Sequence, residues 1–427
     1  MNRYRFWTTL HRQSRPQLPR KRWFSTYLAH EIPFGCIAHQ CVFAFDIKTS
    51  QKAKVIIHPT LDNSAHKFHI KPIELPSSDD ERAEITNDII YHAETQECDS
   101  LIQRINISCP TATRSHELNA YLPQNIDLIV SVLHGQVEIM NKVEGNISIA
   151  VGDGDIRVHK IRGDNVQMKT NQGCIEVAKL VEGVDIQLVA SQVSCKRLLA
   201  ENCDVRLLKG NRSSDFGAVY AAATRIYSLN TGMLSIGNVH GYMRILGESM
   251  EAVDIASVNG VLEVEDTGGN CRATIHLDSC SPGATSSVIV GGDIQVSLDP
   301  TTPIDVEMHG AKIETPKCRF TEHEIEQLDD DYAILTGRLA SVSQPEDCSV
   351  TSGKINVESR RGSALQTSFF SNREERQNSN ETISNSDVSP LTAPSESKLV
   401  LHSPYGTVCL QQFDWMKRIS NRLNCKV

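Results

Sequence analysis

Five polar residues stand just before pairs of apolar residues at nearly constant spacing. They are Asp127, Asn146, Asn165, Asp185 and Asp204, separated by 19, 19, 20 and 19 residues. In stacked parallel strands such residues would lie about 4.8 Å apart. Asn side chains can hydrogen-bond along such a ladder, whereas stacked Asp carboxylates repel one another unless a cation such as calcium lies between them. The spacing favours a structural ladder in the turns, with a cation site as the alternative.

A second acidic motif, Gly152-Asp-Gly-Asp155, resembles one fragment of a calcium-binding β-roll repeat. In a β-roll each ion takes ligands from neighbouring turns, so the motif binds calcium only when it is iterated. It occurs once in this chain. We therefore expect a tight turn at residues 152–155.

Motifs that mark catalytic or cofactor sites are missing from the sequence. It contains no Gly-x-x-x-x-Gly-Lys-Ser/Thr loop, no Gly-x-Gly-x-x-Gly, no His-Glu-x-x-His and no Gly-x-Ser-x-Gly elbow. The acidic run of residues 322–331 around His323 is typical of a solvated loop. We therefore predict no catalytic, cofactor-binding or metal-binding residue, no cofactor and no enzyme activity.

An internal repeat of 19 residues must position the polar column. Three glycines open the phrase Gly-x-Φ-x-Φ, where Φ is an apolar, mostly aliphatic residue. Three more glycines precede a second pair of apolar residues, which are again separated by one residue. Alternation with period two predicts short strands with one buried face, which such strands can bury only by stacking on the next unit. The repeat predicts an all-β, β-helix-like solenoid. The two sets of glycines are Gly135, Gly154 and Gly173, then Gly145, Gly163 and Gly183.

The phrase continues with weaker spacing at Gly232, Gly241, Gly260 and Gly353, and it fades over residues 192–223. The alternative is a β-propeller or a meander of hairpins. A propeller blade takes about 40 residues and usually carries a Trp-Asp signature. The three Trp residues of this chain all lie outside the repeat, which favours the solenoid.

The flanking composition predicts the domain organisation. Residues 25–123 contain strand candidates without the repeat and are expected to form a β-rich N-terminal cap before solenoid repeats at 124–360. Residues 361–397 are rich in Ser, Asn, Glu, Thr and Pro, which predicts a disordered insertion. Within 398–427 the repeat phrase returns, which predicts a closing β rung. The spacing of Phe413, Met416, Ile419 and Leu423 predicts a short capping helix after that rung.

Charge is distributed unevenly along the chain. Residues 1–30 contain seven basic residues and no acid, and the remaining 36 basic and 52 acidic residues give the rest a charge of −16. An acidic body is repelled by phosphate, so we expect neither nucleic acid nor anionic lipid as a partner. Residues 1–24 have the character of a mitochondrial transit peptide, with Arg22-Trp23-Phe24-Ser25 like a processing site. The alternative is a disordered basic tail.

The thirteen cysteines include no Cys-x-x-Cys pair, and several lie among strand residues. Free thiols in a reducing compartment explain this pattern better than disulfides or zinc. No stretch approaches the roughly 20 apolar residues of a membrane-spanning helix. The sequons at Asn106, Asn146, Asn211 and Asn380 would matter only in a secreted protein.

The phrase in Gly135-Gln-Val-Glu-Ile and Gly154-Asp-Ile-Arg-Val resembles the adhesin-like β-strand-repeat family, over residues 115–360 and 398–412. The chain resembles a eukaryotic, mitochondrial-type member. The resemblance implies a solenoid fold and names no functional residue, because the motif is architectural.

The favoured hypothesis is a non-enzymatic solenoid scaffold of the mitochondrial matrix that offers a long face to an unidentified protein partner. The alternatives are a carbohydrate-active solenoid enzyme, with ionisable groups converging in a groove, and an extracellular adhesin with occupied sequons and oxidised cysteines. The sequence does not define the oligomeric state.

Overall fold

Alternating apolar residues form parallel strands that stack turn upon turn in the computed structural model. The structure describes residues 28–32, 40–47, 52–61, 66–72, 90–97, 101–108, 115–301, 303–329, 331–340 and 397–413. These belong to one unit of residues 1–341 and 396–427, and the second unit, residues 342–395, lies outside the described residues. The predicted transit peptide lies outside the described residues, as do the predicted insertion up to residue 396 and the predicted C-terminal helix after Phe413.

The described elements are all strands. Their bounds are β1 Leu28–Ile32, β2 Gln40–Ile47, β3 Ala53–Thr60, β4 His66–Pro72, β5 Ile90–Glu97, β6 Leu101–Ser108, β7 His116–Pro123, β8 Asp127–Glu144, β9 Ile147–Asp153, β10 Ile156–Arg162, β11 Asn165–Gln172, β12 Cys174–Glu182, β13 Asp185–Ala190, β14 Gln192–Cys195, β15 Leu198–Leu207, β16 Ser214–Ser228, β17 Leu234–Gly247, β18 Ala252–Asp266, β19 Arg272–Cys280, β20 Thr285–Ile289, β21 Ile294–Leu298, β22 Ile304–Glu314, β23 Phe320–Asp329, β24 Tyr332–Leu339 and β25 Lys398–Gln412.

The register of the repeat confirms the predicted all-β solenoid. Ile156 of β10 pairs in parallel with Val137 of β8 on one side and with Ile175 of β12 on the other. All three side chains are 0% exposed. Since each strand has one apolar face, equivalent aliphatic side chains pile up across successive turns and form one continuous core. Parallel pairing of this kind also excludes the propeller, which is built from antiparallel blades.

At the N-terminal end the stack continues out of chain order. Strands β2 and β3 pair in parallel with β8, and β6 and β7 pair in parallel with β2 and β3. Two antiparallel strands, β5 on β6 and β4 on β7, then end the parallel pairing. The region predicted as a cap therefore contributes parallel strands as well as antiparallel ones.

The C-terminal end also departs from chain order. Strand β25 lies between β20 and β21 on one side and β22 on the other, all in parallel. The strand expected to be the closing rung is therefore an inner one, because β22 lies beyond it in the stack. Next to β22, strands β24 and β23 run antiparallel. Residues 320–339, predicted as repeats, form this hairpin instead.

The seven cysteines whose side chains are described are free thiols, and Cys195, Cys203 and Cys271 are buried. Burial raises the pKa of Cys195 and of Cys271 to about 12. These thiols therefore act as small apolar core residues. Among the described residues, no helix has the length and apolar character needed to cross a membrane.

Candidate functional site

The polar column predicted from the sequence is a hydrogen-bonded ladder at the start of successive strands. Asp127 Oδ1 accepts a hydrogen bond of 2.6 Å from the backbone N–H of Asn146. Asn146 Oδ1 in turn accepts one of 2.9 Å from the N–H of Asn165. Each side chain thus satisfies a backbone donor of the next turn that the strand pairing leaves unbonded. The predicted structural ladder is confirmed for this part of the column.

The last member of the column is Asn202, and the assignment of Asp204 to it was wrong. Asp185 pairs with Asn202 across β13 and β15. The side chains also meet, because Asn202 Nδ2 donates to Asp185 Oδ1 at 3.0 Å. This turn advances by 17 residues rather than 19 or 20, so counting at constant spacing overshoots by two positions. A shift of two residues keeps a side chain on the same face of the strand. The alternation of apolar and polar residues therefore does not reveal the shift.

Asp204 belongs to a second outward-facing column, two residues further along each strand. Gln167 and Gln187 of this column are hydrogen-bonded at 2.9 Å between Nε2 and Oε1. Asp204 lies beside Gln187 in the ladder and has its carboxylate 3.8 Å from the Arg225 guanidinium on the next turn. The column consists of Ile129, Ser148, Gln167, Gln187 and Asp204.

The two columns line a shallow groove of about 570 Å³ that crosses five successive turns. The side chains of Asn165 and Ser148 have no hydrogen-bond partner among the described residues, and the amide of Asn146 uses only its oxygen. Amide and hydroxyl groups with unused donors and acceptors face solvent at the spacing of the strands. We call this surface the polar groove. It can form hydrogen bonds with an extended chain.

The carboxylates of the polar groove are each engaged in a different contact. Asp127 holds a backbone N–H, Asp185 accepts from Asn202, and Asp204 faces Arg225. Asp127 is three turns away from Asp185, so these two carboxylates do not form a pair for general acid–base chemistry. Among the residues that the structure describes, no group of three or more His, Cys, Asp or Glu side chains is placed to hold a metal ion.

In the Gly152-Asp-Gly-Asp155 motif, Gly152 and Asp153 end strand β9, and Gly154 and Asp155 form the turn to β10. Asp155 Oδ1 accepts a hydrogen bond of 3.0 Å from the N–H of Cys174 in the next turn. Asp153 lies 3.0 Å from His134 Nδ1. Both carboxylates therefore bind protein groups of neighbouring turns, in the manner of the ladder residues.

One arrangement of chemically relevant side chains has no counterpart in the sequence motifs. His276 Nδ1 lies 2.7 Å from Ser297 Oγ, and His276 Nε2 lies 3.0 Å from Asp278 Oδ1. A nucleophilic serine requires a base that a third group orients by a hydrogen bond. Here Nε2 and Oδ1 are buried without hydrogen-bonding geometry, so His276 is not oriented as such a base. His-x-Asp followed by Ser 21 residues after the His is the pattern that would have indicated the cluster.

The acidic run around His323 was predicted as a loop, which is wrong for residues 322–329, because they belong to strand β23. The following strand, β24, returns antiparallel and pairs with it along most of its length. The side chains of β23 are nevertheless exposed from Thr321 to Asp329, as expected for a charged run.

Comparison with known proteins finds no matching family model and no matching curated protein sequence. Two solved structures match this chain weakly. One is described as a candidate cell adhesion protein from Clostridium sporogenes, with 8% identity and a TM-score of 0.18 over 91% of this chain and 99% of that chain. The other is described as a candidate adhesin from Bacteroides fragilis, with 10% identity and a TM-score of 0.28 over 64% and 96%. Identities and TM-scores this low say nothing about function.

Proposed function

We propose that this protein is a non-enzymatic β-solenoid scaffold whose polar groove binds an extended segment of a protein partner in the mitochondrial matrix. The observation that carries the proposal is the groove itself. Its two columns present unused amide and hydroxyl groups on four consecutive turns, from Asn146 and Ser148 to Asn202. A rigid stack of strands holds these groups in place before binding, which lowers the entropy lost on association.

The lining favours a peptide over a sugar. Peptide backbone groups alternate donors and acceptors, which amide side chains can match. Asp127, Asp185 and Asp204 add negative charge, which favours basic side chains on the partner. No aromatic side chain is among the described residues of the lining, so the groove lacks an aromatic ring on which a sugar could stack.

A groove-blocking variant tests the interaction. Ser148→Arg with Gln187→Arg places two bulky cations in the groove, and Ser235→Arg with Gln295→Arg makes the same changes on outward positions of β17 and β21. Proximity labelling in cells should give a set of neighbours that the groove variant loses and the control variant retains. The recovered partner should also bind the purified control variant and fail to bind the purified groove variant. Equal labelling by both variants would refute the groove as the binding site.

The location is a separate part of the proposal. The basic segment 1–24 supports mitochondrial import with cleavage near Ser25. Import into isolated mitochondria should give a shortened, protease-protected product, and substitution of Arg20 and Arg22 by Glu should abolish import. An unprocessed chain that stays outside would exclude the matrix.

The extracellular adhesin makes opposite predictions that can be measured directly. Its sequons would be glycosylated, and a glycan on Asn146 would occupy the polar groove itself. Its cysteines would be partly oxidised, whereas a matrix protein should give thirteen free thiols on titration after denaturation. Fewer thiols in protein purified without reductant would favour the extracellular alternative.

A further inference from the structure

Strand β23 has an open edge at the C-terminal end of the stack. It pairs antiparallel with β24, and within the described part of the chain no strand pairs with its other side. An unpaired edge presents backbone N–H and C=O groups that can form a further row of ladder hydrogen bonds. All of its residues after Phe320 are exposed. The edge is therefore both unpaired and accessible among the residues that the structure describes.

The side chains of β23 divide into an acidic side and a mixed side. The ladder is regular from Glu322 to Gln327, so successive side chains alternate between the two faces. Glu322, Glu324 and Glu326 lie on one face. Ile325 lies on the other, opposite the buried Leu335, and is itself 60% exposed. An added strand would meet a row of carboxylates on one face and an apolar side chain on the other.

We propose that β23 binds an extended basic segment of a partner protein by strand addition, at a site distinct from the polar groove. Basic side chains at alternate positions of the added strand would lie beside the three glutamates, because directly opposed residues on neighbouring strands have Cβ atoms about 5 Å apart. Apolar side chains at the intervening positions would cover Ile325. The partner segment is therefore one in which Lys or Arg alternates with apolar residues.

The same charges decide against a second copy of this chain as the occupant. Two β23 strands placed edge to edge would bring rows of glutamate into contact, and like charges on opposed residues are destabilising. The rest of the chain is also acidic, since outside residues 1–30 it carries 36 basic and 52 acidic residues. The glutamates thus protect the edge from self-association and leave it open to a cationic strand.

A designed peptide of alternating Lys and Val, nine residues long, is the probe. Its binding to the full chain is measured by fluorescence anisotropy at low ionic strength, where exposed charges are least screened. The wild type should bind it. Glu322→Lys with Glu324→Lys and Glu326→Lys should weaken binding at least about tenfold, because attraction becomes repulsion. The same peptide N-methylated at alternate residues keeps its charge but cannot donate to the edge, and it should also bind at least about tenfold more weakly.

A charge-matched control separates this site from the general acidity of the protein. Glu201→Lys with Asp254→Lys and Glu265→Lys changes the net charge equally at exposed positions of the middle turns. This variant should bind within about threefold of the wild type. Failure of the peptide to bind the wild type, equal binding of the N-methylated peptide, or equal weakening by the control would each overturn the proposal. The Ser148→Arg, Gln187→Arg groove variant should bind the peptide normally, so the two sites can fail independently.

Discussion

Gly154 lies directly against the carbonyl oxygen of Gly135 in the preceding turn. A Cβ on Gly154 would come within 1.6 Å of that oxygen, and the backbone φ there is +139°. Only glycine combines this close approach with a φ in the left-handed range without strain. The repeated glycine of the sequence phrase is therefore required by the contact between turns.

Replacement of Gly154 tests that contact. Gly154→Ala should lower the free energy of unfolding by at least about 2 kcal/mol, because strained backbone and steric overlap with a neighbouring turn add together. Gly210→Ala is the control, since the nearest atom to a Cβ there is 3.8 Å away. It should change stability by less than about 0.5 kcal/mol. Urea denaturation measures both, and similar losses in the two variants would contradict the explanation.

The ladder at the strand starts makes a second prediction. Asn146→Ala removes the acceptor of the Asn165 N–H and should cost about 1–2 kcal/mol of stability. Asn165→Ala removes a side chain without a hydrogen-bond partner in the described structure and should cost less than about 0.5 kcal/mol. Asn146→Asp keeps an acceptor, as Asp127 does, and should recover part of the loss. Thermal denaturation ranks the stability of the three variants. A larger loss of stability for Asn165→Ala than for Asn146→Ala would contradict the ladder.

The inner position of β25 predicts a local effect of truncation. A chain ending at residue 340 lacks the strand between β20, β21 and β22, so Leu399 and Leu401 no longer cover the core there. Because turns of a solenoid contact mainly their neighbours, protection from hydrogen exchange should fall in 285–298 and 304–314 and persist in 147–190. Hydrogen-exchange mass spectrometry reports each segment separately. Unchanged protection at 285–298 would contradict the observed strand order.

An ion pair between β22 and β25 gives a pH-dependent prediction. Lys398 and then His309 hold the pKa of Glu307 below its usual range by hydrogen bonding to its carboxylate. The Lys398 Nζ to Glu307 Oε2 distance is 2.6 Å. A lowered pKa in the folded state stabilises the protein above the unfolded value of about 4.3, and that stabilisation is lost as the pH falls through the folded pKa.

Glu307→Gln should therefore destabilise the protein by about 0.5–1 kcal/mol at pH 7, the range for a partly exposed ion pair. The difference from wild type should shrink below about pH 4.3 and disappear below the folded pKa. Urea denaturation at several pH values measures it, with Glu201→Gln as an exposed control. A difference that stays constant down to low pH would show that the carboxylate charge is not responsible.

Much of the core could be predicted from the sequence because burial in a strand depends on local alternation. Val137, Ile156 and Ile175 each stand two residues after a repeat glycine, and they pair in one column. The polar column was predicted correctly up to Asp185 because the turns from Asp127 to Asp185 have nearly equal lengths. The error at Asp204 arose where the next turn is shorter, and alternation alone cannot detect a shift of two residues.

By itself the sequence determined which residues face inward, where the chain bends, and that the strands must stack, because alternation and glycine act within a few residues. Only the tertiary structure decided which strands become neighbours. It placed β25 inside the stack, left β23 at an edge among the described strands, and brought Ser297 to His276. These contacts join residues far apart in the chain or depend on turn lengths. Their energy comes from burying one strand against another, and several strands with the same apolar pattern could fill each place.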